Sequence, residues 1–399
     1  MNSPLSPPTE LQITHLPPLS LYIHIPWCVQ KCPYCDFNSH TIKQGIPEQQ
    51  YLQALLTDLE NELPEVWGRR VQTIFIGGGT PSTFSPDAID ELINGVRARI
   101  PLSPNAEITM EANPGTLDNS RLKGFFEAGI NRLSIGVQSF DDNLLKNIGR
   151  IHDSQQAIAA IESAHKAGFE NINLDLMFAL PGQTPQLSKK DVQTAVSLNP
   201  HHISYYHLTL EPNTWFYTNP PTLPEEDDVW DIQESGQALL AEHGYLQYET
   251  SAYAKAGHQC RHNINYWQFG DYLGIGAGAH GKITRADTQT IQRRWKEKHP
   301  ATYIENILGH QNAVKTQNLE TRELTFEFLM NALRLENGFD INLFTKHTGL
   351  EKHYLTNSLK TAQSQGLIDI DNKEGRICPT DKGKLFLNDL LMSLMDNTE

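Results

Sequence analysis

The segment Tyr22-Ile23-His24-Ile25-Pro26-Trp27-Cys28-Val29-Gln30-Lys31-Cys32-Pro33-Tyr34-Cys35-Asp36-Phe37 decides the reading of this chain. A short β-favouring run, Ser20 to Ile25, leads into three cysteines spaced Cys-x3-Cys-x2-Cys. The other cysteines, Cys260 and Cys378, stand far off, and five is an odd total. Disulfide frameworks are usually short and even-numbered, so clustered thiols here point to metal binding or chemistry in a reducing compartment. Three thiolates on one loop can hold three irons of a [4Fe–4S] cluster and leave the fourth open; electron-transfer clusters typically use four. Zinc is the main competing reading, with His24 or His40 as its fourth ligand. A chance group of buried thiols is the plain one.

Outward from this loop the chain reads as strand–helix units. Leu52, Leu55, Leu56, Leu59 and Leu63 form a helical stripe over 48–63. Val71 to Ile76 is a second strand and ends in Gly77-Gly78-Gly79. Ser85 with Pro86 reads as an N-cap and first turn, followed by a helix buried through Ile89, Leu92, Ile93, Val96 and Ile100. Strands over 106–110, 132–137, 171–177 and 203–208 follow, with helices over 117–127, 155–166, 185–198 and 226–243. Six such units in series imply an α/β fold with a parallel sheet, either open and doubly wound or a whole or partial (β/α) barrel. The polar residues decide for the barrel. The cysteines, the glycine run, Glu111, Gln138, Asp175 and Tyr206 with His207 all fall at the C-terminal ends of strands, which meet at one mouth in a barrel. An open sheet would gather them at its switch point instead.

Composition narrows the classes. Lys and Arg total 32 against 47 Asp and Glu, a net charge of −15 in 399 residues. That argues against a general nucleic-acid binder, whose affinity rests on basic charge. No stretch approaches the roughly 18 apolar residues of a membrane span. Residues 1–20 hold five prolines and no signal-peptide core, so they read as an extended arm on a cytoplasmic protein. Residues 258–281 are rich in His, Asn, Tyr, Trp and Gly without a helix period. From Thr321 helical stripes and a hairpin pattern, 367–370 with 376–378, suggest a small, mostly helical, winged-helix-like domain. The divisions are thus an arm (1–20), a barrel with the His-rich segment (21–284), a connection (285–320) and the C-terminal domain (321–399). Cys378 is read as a small buried hydrophobe. Winged helices often bind DNA, but the acidic Glu323, Glu327, Glu336 and Asp340 favour a scaffold or lid.

The cysteine spacing after strand one, with the following Gly77-Gly78-Gly79-Thr80-Pro81, resembles the radical S-adenosylmethionine (SAM) superfamily. A phosphate loop, the rival for the glycines, lacks its Lys-Ser or Lys-Thr. More narrowly, the chain resembles the oxygen-independent coproporphyrinogen III oxidase family from about Leu21 onward, and within it the heme-chaperone branch. The resemblance implies a partial (β/α)6 barrel with Cys28, Cys32 and Cys35 on a [4Fe–4S] cluster. Its open iron would chelate SAM, whose reduction produces a 5′-deoxyadenosyl radical. By the same resemblance Tyr22, Tyr34, Gly78, Gly79, Thr80 and Glu111 contact SAM. Gln138, Arg150 and Asp175 match residues that hold a second SAM in the dehydrogenase branch. The glycines are read as letting backbone approach the methionine moiety. The small residues of Gly274 to His280 are read as tight packing near SAM.

Two departures separate the branches. The dehydrogenases carry a further cysteine where this chain has Phe37, and His262-Asn263-Ile264-Asn265-Tyr266-Trp267 matches the His-Asn-x-x-Tyr-Trp motif of the chaperones. A neutral imidazole ligates heme iron, so His262, Tyr266 and Trp267 are the candidate heme contacts, with Cys260 as alternative ligand. The plain reading of His262 is a loop histidine satisfied by hydrogen bonds. The expectation is a heme chaperone that binds heme, the cluster and SAM and passes heme to an acceptor, by resemblance a respiratory heme enzyme. It would need an electron donor if SAM is cleaved, engages no nucleic acid, and leaves a homodimer open. Coproporphyrinogen III dehydrogenase, or another radical SAM enzyme, is the alternative.

Overall fold

The computed structural model describes residues 11–43, 45–311, 314–371 and 373–395. The expected strands are present as β1 (Leu19–Ile25), β2 (Val71–Gly78), β3 (Leu102–Ala112), β4 (Arg132–Gln138), β5 (Ile172–Phe178) and β6 (His202–His207). Each pairs in parallel with the next. Both faces of such a sheet are covered, so apolar residues need not alternate with polar ones along its strands. Leu21, Ile23 and Ile25 of β1 are fully buried. The helices α1 (Glu48–Glu62), α2 (Pro86–Arg99), α3 (Asn119–Glu127), α4 (Ser154–Lys166), α5 (Pro185–Ser197) and α6 (Glu226–Glu242) alternate with the strands. Their ends follow capping chemistry: Ser85 accepts from the Ala88 amide, and Asp153 with Gln156 forms a reciprocal capping box.

The unexpected elements lie after α6. The strands β7 (Leu246–Glu249) and β8 (Ala252–Ala254) extend one edge in antiparallel fashion. The stretch 258–281, expected to lack a helix, forms helix α7 (Arg261–Trp267) and strand β9 (Asp271–Ile275). A seventh parallel strand, β9 pairs with β1 on the side away from β2. The stretch 285–320, expected as a connection, instead continues the sheet. It completes β10 (His280–Arg285) and carries β11 (Thr290–Lys296), helix α8 (Pro300–Leu308) and β12 (Val314–Asn318). The whole is one twelve-stranded sheet in the order β12-β11-β10-β9-β1-β2-β3-β4-β5-β6-β8-β7. It is a curved, unclosed α/β sheet. These strands were hard to read because several of their inward positions are charged: Lys282, Arg294 and Lys296 are buried. Each is paired, Lys282 with Asp271 at 2.9 Å and Lys296 with Asp58 at 2.6 Å, and burial of charge demands such partners.

The arm is also more structured than expected. Residues 1–10 lie outside the described residues. From there the chain is pinned: the Gln12 amide donates to Gly349 O at 2.8 Å, and Ile13 is buried in the C-terminal core. That core holds helices Thr321–Ala332, Ile341–Thr348 and Lys352–Ser364 and a three-stranded sheet including the expected hairpin, Ile368–Asp371 with Arg376–Pro379. Gly349 at φ +74° makes the turn between the second and third helices, a winged-helix-like step. Residues 396–399 of this region lie outside the described residues. Cys378 is half-buried rather than sealed, its Sγ 3.0 Å from Asn337 O.

Candidate functional site

The strand ends expected to converge do so, except that His207 stands outside the cleft with its ring stacked on Phe178. A cleft of about 330 Å³ is lined by Cys28, Cys32, Tyr34 and Cys35 from the loop after β1 and by Gly78, Gly79 and Thr80 at the end of β2. Glu111, Gln138, Arg150, Asp175 and Tyr206 close it from the far side. The glycines serve a purpose the sequence did not show. A Cβ on Gly78, at φ +113°, would enter the His24 ring, and one on Gly79 would strike the Trp27 carbonyl. The run is therefore bound to the base of the cysteine loop, with Gly79 N donating to Ile25 O and Thr80 N to Trp27 O, both at 2.7 Å.

The far wall is a charged one. The Gly78 amide donates to Glu111 Oε2 at 3.0 Å. Burial, and then the charge of Asp175, pushes the Glu111 carboxyl up to about 8. Burial likewise raises Asp175, although Asn173 donates to it at 2.8 Å and Ser134 at 3.3 Å. Arg150 donates to Gly136 O at 2.6 Å and to Cys32 Sγ at 3.6 Å, while its buried Nε has no partner. Gln138 sits at φ +72° at a register shift of β4, and its Oε1 accepts from Tyr206 at 2.7 Å. A non-glycine residue in that region costs about 1–3 kcal/mol and persists where surroundings over-determine it.

Residues that the sequence reading passed over complete the cleft: Ser39, Asn113, Ser134 and Gly136. The signal for Ser134 and Gly136 was period two along β4, while Asn113 is the first residue beyond β3, two on from Glu111. Tyr22 was expected in the site and stands behind it, its hydroxyl 2.9 Å from His24 Nδ1 and its ring over Phe75. The Gly274-to-His280 run also lies behind, where a Cβ on Gly276 or Gly278 would meet His24 or Asn38.

The expected heme trio is at the other end of the barrel. His262 is 1% exposed on α7, with Nδ1 2.8 Å from Thr73 Oγ1 and Nε2 2.9 Å from Tyr266 Oη. Burial and the nearby Arg132 charge push it down to about 3, so it is neutral. Glu107, midway along β3, accepts from the amides of Arg261 and His262 and caps the helix. Asn265 donates to Ser20 Oγ at 2.9 Å and Asp271 O at 3.0 Å. Trp267 lies under the Arg334 guanidinium, 4.6 Å away, at the junction with the C-terminal domain. Cys260 is fully buried and pushed up to about 12 by burial, which holds it as a thiol. In this arrangement both imidazole nitrogens of His262 are engaged, and neither it nor Cys260 presents a free ligand atom.

The cysteine loop fits a multi-iron group. Cys28, Cys32 and Cys35 are free thiols that line one end of the cleft together. His24, proposed as zinc's fourth ligand, has both ring nitrogens bonded, to Tyr22 and to Asn38 O. A cluster instead gives each thiolate its own iron. Residues 22–190 match the model of the radical SAM superfamily, and residues 319–386 match that of the HemN C-terminal domain. The heme chaperone HemW of Escherichia coli (strain K12) is 50% identical over 376 residues, 94% of this chain and 98% of that protein. The chain belongs to the HemW heme-chaperone family. The Bacillus subtilis (strain 168) HemW is 39% identical over 378 residues, 93% of this chain and 97% of that one. The solved coproporphyrinogen III oxidase HemN of Escherichia coli, a radical SAM enzyme, superposes with a TM-score of 0.79 at 25% identity, over 95% of this chain and 90% of that one. The family implies a [4Fe–4S] cluster and SAM. Among the described residues no helix is long and apolar enough to cross a membrane.

Proposed function

We propose that this chain is a cytoplasmic heme carrier that holds a [4Fe–4S] cluster on Cys28, Cys32 and Cys35, binds SAM in the adjoining cleft, and hands heme to an acceptor protein. One observation carries the cofactor part: three thiols open onto one end of a cleft whose other end holds two opposed buried carboxylates, Glu111 and Asp175. Such a pair is costly without a cation between them. SAM is a small ligand with a sulfonium and an ammonium group, and the cleft volume suits one such molecule. When bound, the cluster supplies an open iron and an electron for the sulfonium.

The chain's own groups do the rest. Glu111, oriented by the Gly78 amide, faces the ligand's positive charge. Arg150 holds Cys32 through one nitrogen and keeps Nε for an acceptor on the ligand. Burial raises the Cys28 thiol, and Thr80 and Ser39, donating toward it, offset part of that rise. Phe37, 54% exposed at the rim, supplies no thiol where the dehydrogenases of the resemblance carry one. That supports carriage over decarboxylation.

The test is anaerobic reconstitution followed by iron and sulfide analysis, EPR of the reduced protein with and without SAM, a hemin titration, and an assay for protoporphyrinogen IX. The expected results are four irons, a SAM-perturbed signal, saturable hemin binding and no turnover. Repeated turnover of coproporphyrinogen III without saturable hemin binding would make the dehydrogenase reading the right one.

A further inference from the structure

A second cavity, of about 570 Å³, lies at the base of the barrel where the C-terminal domain joins it. Three parts of the chain meet there: the arm ahead of β1 with Leu16 and Pro18, helix α7 with Arg261 and Ile264, and the helix Ile341–Thr348 with Leu343, Lys346 and His347. Leu16 and Pro18 are exposed and Ile264 and Leu343 half-buried, so the groove keeps open apolar surface. Its charge is one-sided. The lining holds Arg261 and Lys346 and no carboxylate, in a chain with a net charge of −15. Both cations are exposed. Arg261 donates through Nη1 to Asn105 O at 2.6 Å, and its Nη2 makes no hydrogen bond among the described residues. A groove of this kind takes a ligand with an apolar body and anionic ends.

His347 narrows the ligand further. Its Nδ1 lies 2.6 Å from Gln268 O, the carbonyl that follows α7, so the ring donates there and Nε2 carries the lone pair. A ring fixed through one nitrogen by a backbone carbonyl is how proteins present the other nitrogen to a metal. His347 is 5% exposed. Its Nε2 makes no hydrogen bond among the described residues and is not one of the sealed side-chain atoms that lack one, so part of that surface is at Nε2. Burial lowers His347 to about 4, which keeps it neutral, the ligating form. His262, by contrast, has both ring nitrogens bonded.

We infer that this groove carries the heme: His347 ligates the iron through Nε2, the four apolar side chains flank the macrocycle, and Arg261 and Lys346 meet the propionates. The inference rests on the carrier reading and deepens it by naming the site. Heme supplies the matching parts, a metal that takes imidazole, an apolar disc and two carboxylates. The placement also gives the motif on α7 a part in carriage without a free nitrogen on His262. Its hydrogen bonds to Thr73 and Ser20 fix the helix whose following carbonyl orients His347.

The experiment is a Soret titration of the anaerobically reconstituted full chain with hemin, and a parallel titration with iron-free protoporphyrin IX. His347→Gln keeps a donor for Gln268 O and has no lone pair for iron. It should weaken hemin about tenfold and shift its Soret band, while protoporphyrin affinity stays within about twofold. The double variant Arg261→Gln, Lys346→Gln should weaken both porphyrins about fivefold, because both carry the propionates. Iron and sulfide content and far-UV circular dichroism should match the wild-type chain in all of them. If the wild-type chain shows no saturable hemin binding, the carrier reading itself fails. If it binds and His347→Gln stays within twofold, or loses protoporphyrin equally, the chaperone stands and this site is wrong. Full affinity in the double variant overturns it as well, since the propionates then lie elsewhere. Loss on His262→Ala with His347→Gln unaffected overturns it in favour of His262.

Discussion

The two ends of the barrel use similar residue types in opposite ways. At the base, Glu107, His262, Asn265 and Cys260 are buried and saturated by partners from the chain itself. At the mouth, Cys28, Cys32, Cys35, Glu111 and Arg150 converge on open space, with the Glu111 carboxyl pushed up to about 8 by burial and a guanidinium Nε left over. A satisfied buried polar cluster specifies packing; an unsatisfied one facing a cavity is completed by a ligand. The difference teaches that residue identity alone does not mark a site. The accounting of hydrogen bonds does.

The largest effect that would break this contrast is at the thiols. Replacing Cys28, Cys32 or Cys35 with Ala should abolish the broad iron–sulfur absorption after reconstitution, and Cys260→Ala or Cys378→Ala should leave it in place. Loss of the band in Cys260→Ala, with normal far-UV circular dichroism, would put a cluster ligand at the base and end the distinction.

Next in size is the base itself. His262→Ala leaves Thr73 and Tyr266 without their shared partner and opens a small cavity, so it should cost about 2–4 kcal/mol in stability. Denaturant melts measure the cost, and the SAM-induced EPR change should persist in the folded variant. An unchanged melt combined with a lost SAM response would mean that the base acts on the ligand after all.

Glu111→Gln sharpens the picture of the mouth. It should weaken SAM binding by about tenfold, the worth of a charge-assisted hydrogen bond, with cluster content unchanged. It should also alter the pH dependence of the SAM-free protein. The folded pKa of Glu111, about 8, lies above its ordinary value of 4.5, so the folded state holds the proton more tightly. That contribution to stability is complete below pH 4.5 and is lost as pH rises towards 8. Thermal melts between pH 5 and 9 should therefore decline less steeply in the Gln variant. Parallel slopes in the two proteins would show that Glu111 is not the group responsible.

The smallest effect is at the junction of barrel and C-terminal domain. Trp267→Leu removes the ring beneath Arg334 and should cost about 1 kcal/mol, read from the melting midpoint, with hemin affinity unchanged. A drop in hemin affinity larger than the loss in stability would return Trp267 to the heme surface.

The parallel strands and the mouth were legible because both rest on local pattern. Apolar runs, caps at Ser85 and Asp153, and polar residues at successive strand ends need only sequence order to be read. The Cys-x3-Cys-x2-Cys spacing likewise puts three thiols on one loop by covalent geometry. Other features depended on partners more than 50 residues away. The strand β11 hides behind the buried charges Arg294 and Lys296, whose partners Asp58 and Glu62 come from α1. His262 was a ligand candidate until Thr73 and Glu107, from two other strands, were seen to hold it. The meeting of His347 with the Gln268 carbonyl, 79 positions apart, was likewise decided by tertiary structure. Sequence by itself determined which groups could do chemistry and on which local element each stands, because periodicity and spacing act over a few residues. Only the folded chain decided which of those groups are already spoken for, because hydrogen bonding and desolvation are settled by whatever the fold brings alongside.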